Sequence, residues 1–159
     1  MRTAADLSDG LRELIVAGRA AWQEREYARA RGLFDEALVL AEASVDRFGQ
    51  SAALHFLGNV AFNECRDDES RRLHAAALEI ARADGDDQGM ATSLGSIALI
   101  DVANGDLDAA RARYDAAVEA YRSAGMSDAA ESLRVRADDL LTGRVRFDEV
   151  VHRHTPADR

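Results

Sequence analysis

Lysine is absent from this chain, and all 20 of its cationic side chains apart from histidine are arginines. Without a lysine there is no Schiff-base chemistry and no phosphate-binding P-loop. Proline occurs once, at Pro156, and the 11 glycines are sparse, so long helices are left unbroken. The single cysteine, Cys65, cannot form an internal disulfide. Aromatic residues make up only 6% of the chain, as close packing of small-residue helices allows. Apolar runs such as residues 97–100 fall far short of the ~20 residues of a membrane span. Positive charge is in short supply. The formal net charge of −9 repels nucleic-acid phosphates, so no nucleic-acid partner is expected. The chain opens Met-Arg-Thr-Ala-Ala-Asp with no apolar leader, and together with the lone cysteine this predicts a cytoplasmic location with no membrane association. No nucleophile elbow, zinc-ligand spacing, glycine-rich phosphate loop or carboxylate pair occurs, so neither a cofactor nor a metal is expected.

What is present is helix-forming and periodic. The chain is 47% hydrophobic over 159 residues, enough for one sizeable core, and alanine, leucine, arginine and glutamate dominate it. Residues 54–81 read as a helical hairpin. Leu54, Leu57, Gly58 and Ala61 fall at i, i+3, i+4 and i+7, Leu73, Ala76, Ala77 and Ile80 repeat that spacing, and Arg66-Asp67-Asp68 forms a polar turn between them. Adding forty to the numbers carries Leu54, Leu57, Gly58, Ala77 and Leu78 to Leu94, Ile97, Ala98, Ala117 and Val118. Subtracting forty reaches Leu14, Gly18, Ala37 and Leu38, while Tyr27, Ala30 and Phe34 answer to Leu107, Ala110 and Tyr114. A decayed fourth copy begins near Asp128. A fixed period of this size means stacked supersecondary units.

Local signals set expected boundaries. Residues 1–8 are expected to fray, with Ser8 or Asp9 capping the first helix through Ala21. Helices follow over 27–48, with Gly49 as the left-handed residue that ends that helix, then 51–64, 67–83, 88–103, 106–124 and 127–141. The expected organisation is one helical-repeat domain over 9–154 with a disordered tail over 155–159.

The repeat resembles the tetratricopeptide repeat. Leu54, Leu57-Gly58-Asn59, Ala61, Ala77 and Leu78 match its pattern of small and large residues, as do Ile97-Ala98, Gly105-Asp106-Leu107, Ala110, Tyr114 and Ala117. The forty-residue spacing is similar to a variant found in sensor regions of large bacterial transcriptional regulators. The resemblance implies an all-α, right-handed α-solenoid of stacked antiparallel helix pairs, with about three full repeats and a decayed fourth. It also implies a scaffold for protein interaction, with the first helix of each pair lining a concave face.

That implied face selects candidate partner-binding residues. One column carries Ile15 and His55, the next Arg19, Asn59 and Leu99, and the next Trp22 and Phe62, with Asn63 one position further along. Solvated helix faces rarely combine such apolar residues, so an apolar groove with polar handles is expected to hold a protein or peptide. A small apolar ligand is the second reading, and an enzyme using His55 or Asp101 the third. The same surface could instead be covered by the C-terminal segment or by a second copy, since Val145, Phe147, Val150 and Val151 offer an apolar face for a homodimer. Arg19 and Asn59 occupy places suited to gripping a peptide carboxylate, but Thr92 and Ser96 stand where third-repeat cations are needed.

Four residues depart from the repeat, Asp101 most sharply. Cys65 stands where a turn glycine is usual, Ser70 where alanine is, and His74 where Phe34 and Tyr114 sit. His74 is expected to fill an aromatic slot between helices. Asp101 lies in the column of Ala21 and Ala61, where an unpaired buried charge costs several kcal/mol, so it must be exposed, protonated or matched, and the expectation is that an arginine or backbone donors hold it.

Overall fold

The computed structural model describes residues 4–151 and residue 153. Eight helices run in order: α1 (Ala4–Gln23), α2 (Tyr27–Ala43), α3 (Arg47–Asn63), α4 (Asp67–Asp84), α5 (Asp87–Ala103), α6 (Leu107–Ser123), α7 (Ser127–Leu141) and α8 (Phe147–Val150). There is no strand among the described residues. The second helices of the four pairs begin at Tyr27, Asp67, Leu107 and Phe147, so the forty-residue register persists into the fourth copy. Each helix from α2 to α7 packs against the one before it, which makes the array an α-solenoid.

The packing rule that repeats is a ring set against a residue without a side chain. A Cβ on Gly18 would lie 2.5 Å from the Phe34 ring, and one on Gly58 2.7 Å from His74. In the third copy Ala98 and Tyr114 share a core cluster. Phe34 and His74 are buried, and His74 fills its aromatic slot as the column predicts. Ser70, at an alanine position, donates from Oγ to the Gly58 carbonyl at 2.8 Å, so its hydroxyl is satisfied inside the core. In the fourth copy the small residue is replaced by Asp138, half-exposed and paired with Arg134. A carboxylate there offers no slot for a ring, and the second helix of that copy shrinks to the single turn of α8.

Two boundaries differ from the sequence reading. α1 begins at Ala4, so Ser8 and Asp9 lie inside it and neither caps it. Residues 1–3 and the expected tail over 155–159 lie outside the described residues. α2 stops at Ala43, and Gly49 belongs to α3, where its N–H donates to the Asp46 carboxylate at 2.9 Å. Asp86 and Gly89 repeat this N-cap forty residues on, at 2.9 Å.

The left-handed residue of the α2–α3 turn is Val45, at φ 56°, where Gly85 (φ 67°) and Gly125 (φ 74°) stand in the later copies. Cys65 (φ 58°) likewise holds the position of Gly105 (φ 79°). A β-branched residue is strained there, by about 1–2 kcal/mol, and Val45 is 77% exposed, so it has little packing to lose. Val45→Gly should therefore raise the stability by about 0.5–1 kcal/mol after the extra unfolded-chain entropy of glycine is subtracted. A urea midpoint that moves down would show that the turn is not strained.

Candidate functional site

The first helices of the pairs bring their side chains together in one pocket of about 430 Å³. Trp22 comes from α1, Asn59, Phe62 and Asn63 from α3, Leu99 from α5 and Arg136 from α7, with Val151 of the C-terminal segment completing the wall. Three large apolar side chains form the lining, and the amides of Asn59 and Asn63 are set among them. Trp22 is held in place by its indole, whose Nε1 donates to Asn63 Oδ1 at 2.7 Å. Among the described residues no carboxylate lines this pocket, and its charged residues are Arg25 and Arg136, although the chain as a whole is acidic.

A second pocket of about 440 Å³ holds Ile15, Arg19 and His55, with Phe48 and Phe56 beside them. The eight residues singled out from the sequence therefore separate into two groups. Trp22, Asn59, Phe62, Asn63 and Leu99 line the first pocket, and Ile15, Arg19 and His55 the second. A hydrogen bond joins the groups, Asn59 Nδ2 donating to His55 Nε2 at 3.1 Å. Arg19 extends over the Phe56 ring, 5.8 Å from its centroid, and Phe56 in turn stacks on Phe34 at 5.0 Å.

His55 and His74 are neighbours with ring centroids 5.1 Å apart. Burial pushes His55 down to about 4 from the ordinary histidine value. Burial, and secondarily the proximity of His55, pushes His74 down to about 3. Both imidazoles are thus neutral near pH 7. One edge of His55 lines the second pocket, but its Nδ1 is buried without a hydrogen-bond partner among the described residues, as is that of His74. The Tyr114 hydroxyl is raised to about 12, mainly by burial.

Asp101 lines neither pocket. It is 2% exposed and its carboxylate is shared by Arg71 of α4, at 2.7 Å, and Arg113 of α6. The pairing predicted from its position is present. Arg71 also belongs to a column that went unread in the sequence. Arg31, Arg71 and Arg111 stand forty apart, and each reaches forward to an acid of the next repeat: Glu69 at 2.9 Å, Asp101 at 2.7 Å and Asp138 at 3.7 Å.

The C-terminal segment covers part of the first pocket. The Phe147 ring meets Phe62 edge-on, with centroids 6.2 Å apart, so Phe62 is only 7% exposed. Arg153 lies over the Phe62 ring, its guanidinium carbon 4.3 Å from the ring centroid. Its Nε donates to the Phe62 carbonyl at 2.9 Å, and it is ion-paired with Asp67. The apolar residues expected to cap the stack or meet a second copy thus include two, Phe147 and Val151, that turn inward.

Stacked antiparallel helix pairs of this kind define the class of helical-repeat proteins. Residues 49–123, which take in nearly all of α3 and the whole of α4 to α6, match the family described as Tetratricopeptide repeat. The crystal structure of the TPR domain of Arabidopsis FLU is similar in fold, with a TM-score of 0.67 and 24% identity over 74% of this chain and 98% of that one. No curated protein matches the chain. No described helix is long and apolar enough to cross a membrane.

Proposed function

We propose that this protein is a non-enzymatic adaptor that holds an extended segment of a partner protein in the pocket lined by Trp22, Phe62 and Leu99. Tetratricopeptide repeats generally mediate protein–protein interaction, and the observation that supports this particular seat is its composition. Apolar walls contributed by separate repeats give a binding surface, and the Asn59 amide is placed among them where a peptide backbone needs hydrogen-bond partners. A small apolar ligand has less support, because it offers nothing to the Asn59 carbonyl oxygen or to the exposed rim cations Arg25 and Arg136, which a peptide backbone and its acidic side chains can engage. The enzymatic reading has least. His55 is a weak base with a buried Nδ1, and Asp101 is engaged by two arginines away from either pocket.

Trp22 is the only tryptophan, so its emission reports on the seat. Peptides selected from a display library against the intact protein should shift that emission, and Leu99→Arg should weaken them by about tenfold or more without altering the helical circular dichroism. Selected peptides that leave Trp22 unchanged and tolerate Leu99→Arg would place the partner on the outer helices.

A further inference from the structure

The seat for Arg153 is assembled from parts found in only one repeat. Phe62 supplies a ring face, its carbonyl supplies an acceptor, and Asp67, the first residue of α4, supplies a carboxylate. At the equivalent pairs of positions the other copies carry Trp22 with Tyr27, Val102 with Leu107, and Thr142 with Phe147, so no other copy pairs an aromatic ring with an acid. The same Phe62 carbonyl accepts the Cys65 N–H at 3.0 Å, in the turn that Cys65 forms in the left-handed conformation, and Arg153 takes its second acceptor site. The Arg153 side chain is only 16% exposed. A planar guanidinium fits such a seat because it stacks on a ring and donates in its own plane at once, which an ammonium group does not do.

Val151 precedes Arg153 by two positions and has extended backbone, φ −125° and ψ 112°. Val151 enters the pocket beside Trp22 and Leu99 while Arg153 occupies the neighbouring seat on Phe62. Val151 and Arg153 thus hold two adjoining seats of the groove, as two side chains of a bound peptide would.

We propose that this segment is a built-in competitor for the groove, and that the partner it stands in for presents an aliphatic residue followed two positions later by an arginine. This rests on the peptide-binding reading above and adds to it the chemistry of the ligand and a means of holding the groove closed. An incoming segment displaces Val151 and Arg153 and takes over their contacts, so its apparent affinity is lowered by whatever holds the internal segment in place.

The probe is the peptide Asp-Glu-Val-Val-His-Arg, copied from residues 148–153, with a second peptide in which the final arginine is alanine. Both are titrated into the full chain and into its Arg153→Ala and Arg153→Glu variants, with Trp22 emission as the readout and helical circular dichroism as the check on folding. The arginine peptide should bind the two variants about tenfold or more tightly than the unaltered chain, and the alanine peptide should be weaker by a similar factor. Adding Asp67→Asn to Arg153→Ala should abolish most of the discrimination between the two peptides. Equal affinity of the arginine peptide for the unaltered chain and the Arg153 variants would overturn the competitor. Equal affinity of the two peptides would overturn the ligand chemistry while leaving the groove a peptide site. Silence of Trp22 toward these peptides, alongside a response to library-selected ones, would overturn this proposal and leave the adaptor reading standing. Silence toward both would overturn the two together.

Discussion

Replacing Arg71 and Arg113 together by methionine should destabilise the protein by about 3–5 kcal/mol, and adding Asp101→Ala to that pair of changes should restore most of the loss. The reason is the asymmetry of the triad. Asp101 is 2% exposed, whereas the side chains of both arginines are 37% exposed. Taking away the arginines leaves a carboxylate that cannot reach water, while taking away the carboxylate leaves two cations that can. Asp101→Ala alone should therefore change stability by less than about 1 kcal/mol, because alanine already occupies this column at Ala21 and Ala61 and the partners resolvate. Urea unfolding of the single, double and triple variants closes the cycle. If the triple variant is no more stable than the double, the burial assigned to Asp101 is wrong.

The second large effect is loss of stability in mild acid. A histidine whose folded pKa is depressed binds fewer protons folded than unfolded, so stability falls as the pH drops below the unfolded value of about 6.5 and keeps falling until the folded value is reached. For His55 that lower limit is about 4 and for His74 about 3. Between pH 7.5 and pH 5, largely above the carboxylate range, each should remove about 2 kcal/mol, or about 4 kcal/mol for the pair. His74→Phe is the informative variant, since Phe34 occupies the same place over Gly18 that His74 occupies over Gly58. It should remove about half of the pH dependence and leave the protein more stable at pH 5. An unchanged slope in His74→Phe would mean that the buried ring is not the group resisting protonation.

The repeat was legible because packing in a solenoid is local. Gly18 with Phe34 and Gly58 with His74 meet inside one pair, so numbers forty apart find them without any knowledge of the fold. The need for a partner at Asp101 was legible for the same reason, and the identity of the partners was not. Arg71 and Arg113 lie on different outer helices, although the column Arg31, Arg71 and Arg111 could have been found by the same addition. Gly49 was misread because glycine after a helix is a strong stop signal, while Asp46 three residues earlier is a competing start signal that the structure follows. Five of the candidate groove residues share a pocket because they lie on adjacent turns of first helices. Arg136 lies on α7, forty beyond Ser96, and could have been found by the same addition, whereas Val151 and Arg153 were out of reach, since they enter the groove by a fold-back that column arithmetic does not describe.

That fold-back changes how the chain must fold. The extensive helix contacts join consecutive helices, so most of the array can form by extension from any nucleus, with short loops to close at each step. The pair between Asp67 and Arg153 spans 86 residues, and its closure entropy is repaid only once the intervening helices have made the span short. It is therefore expected to form last in folding and to open first. Amide protons held by this closure should exchange through a local opening well below the global unfolding free energy, while those of α3 to α5 exchange only with the stack as a whole.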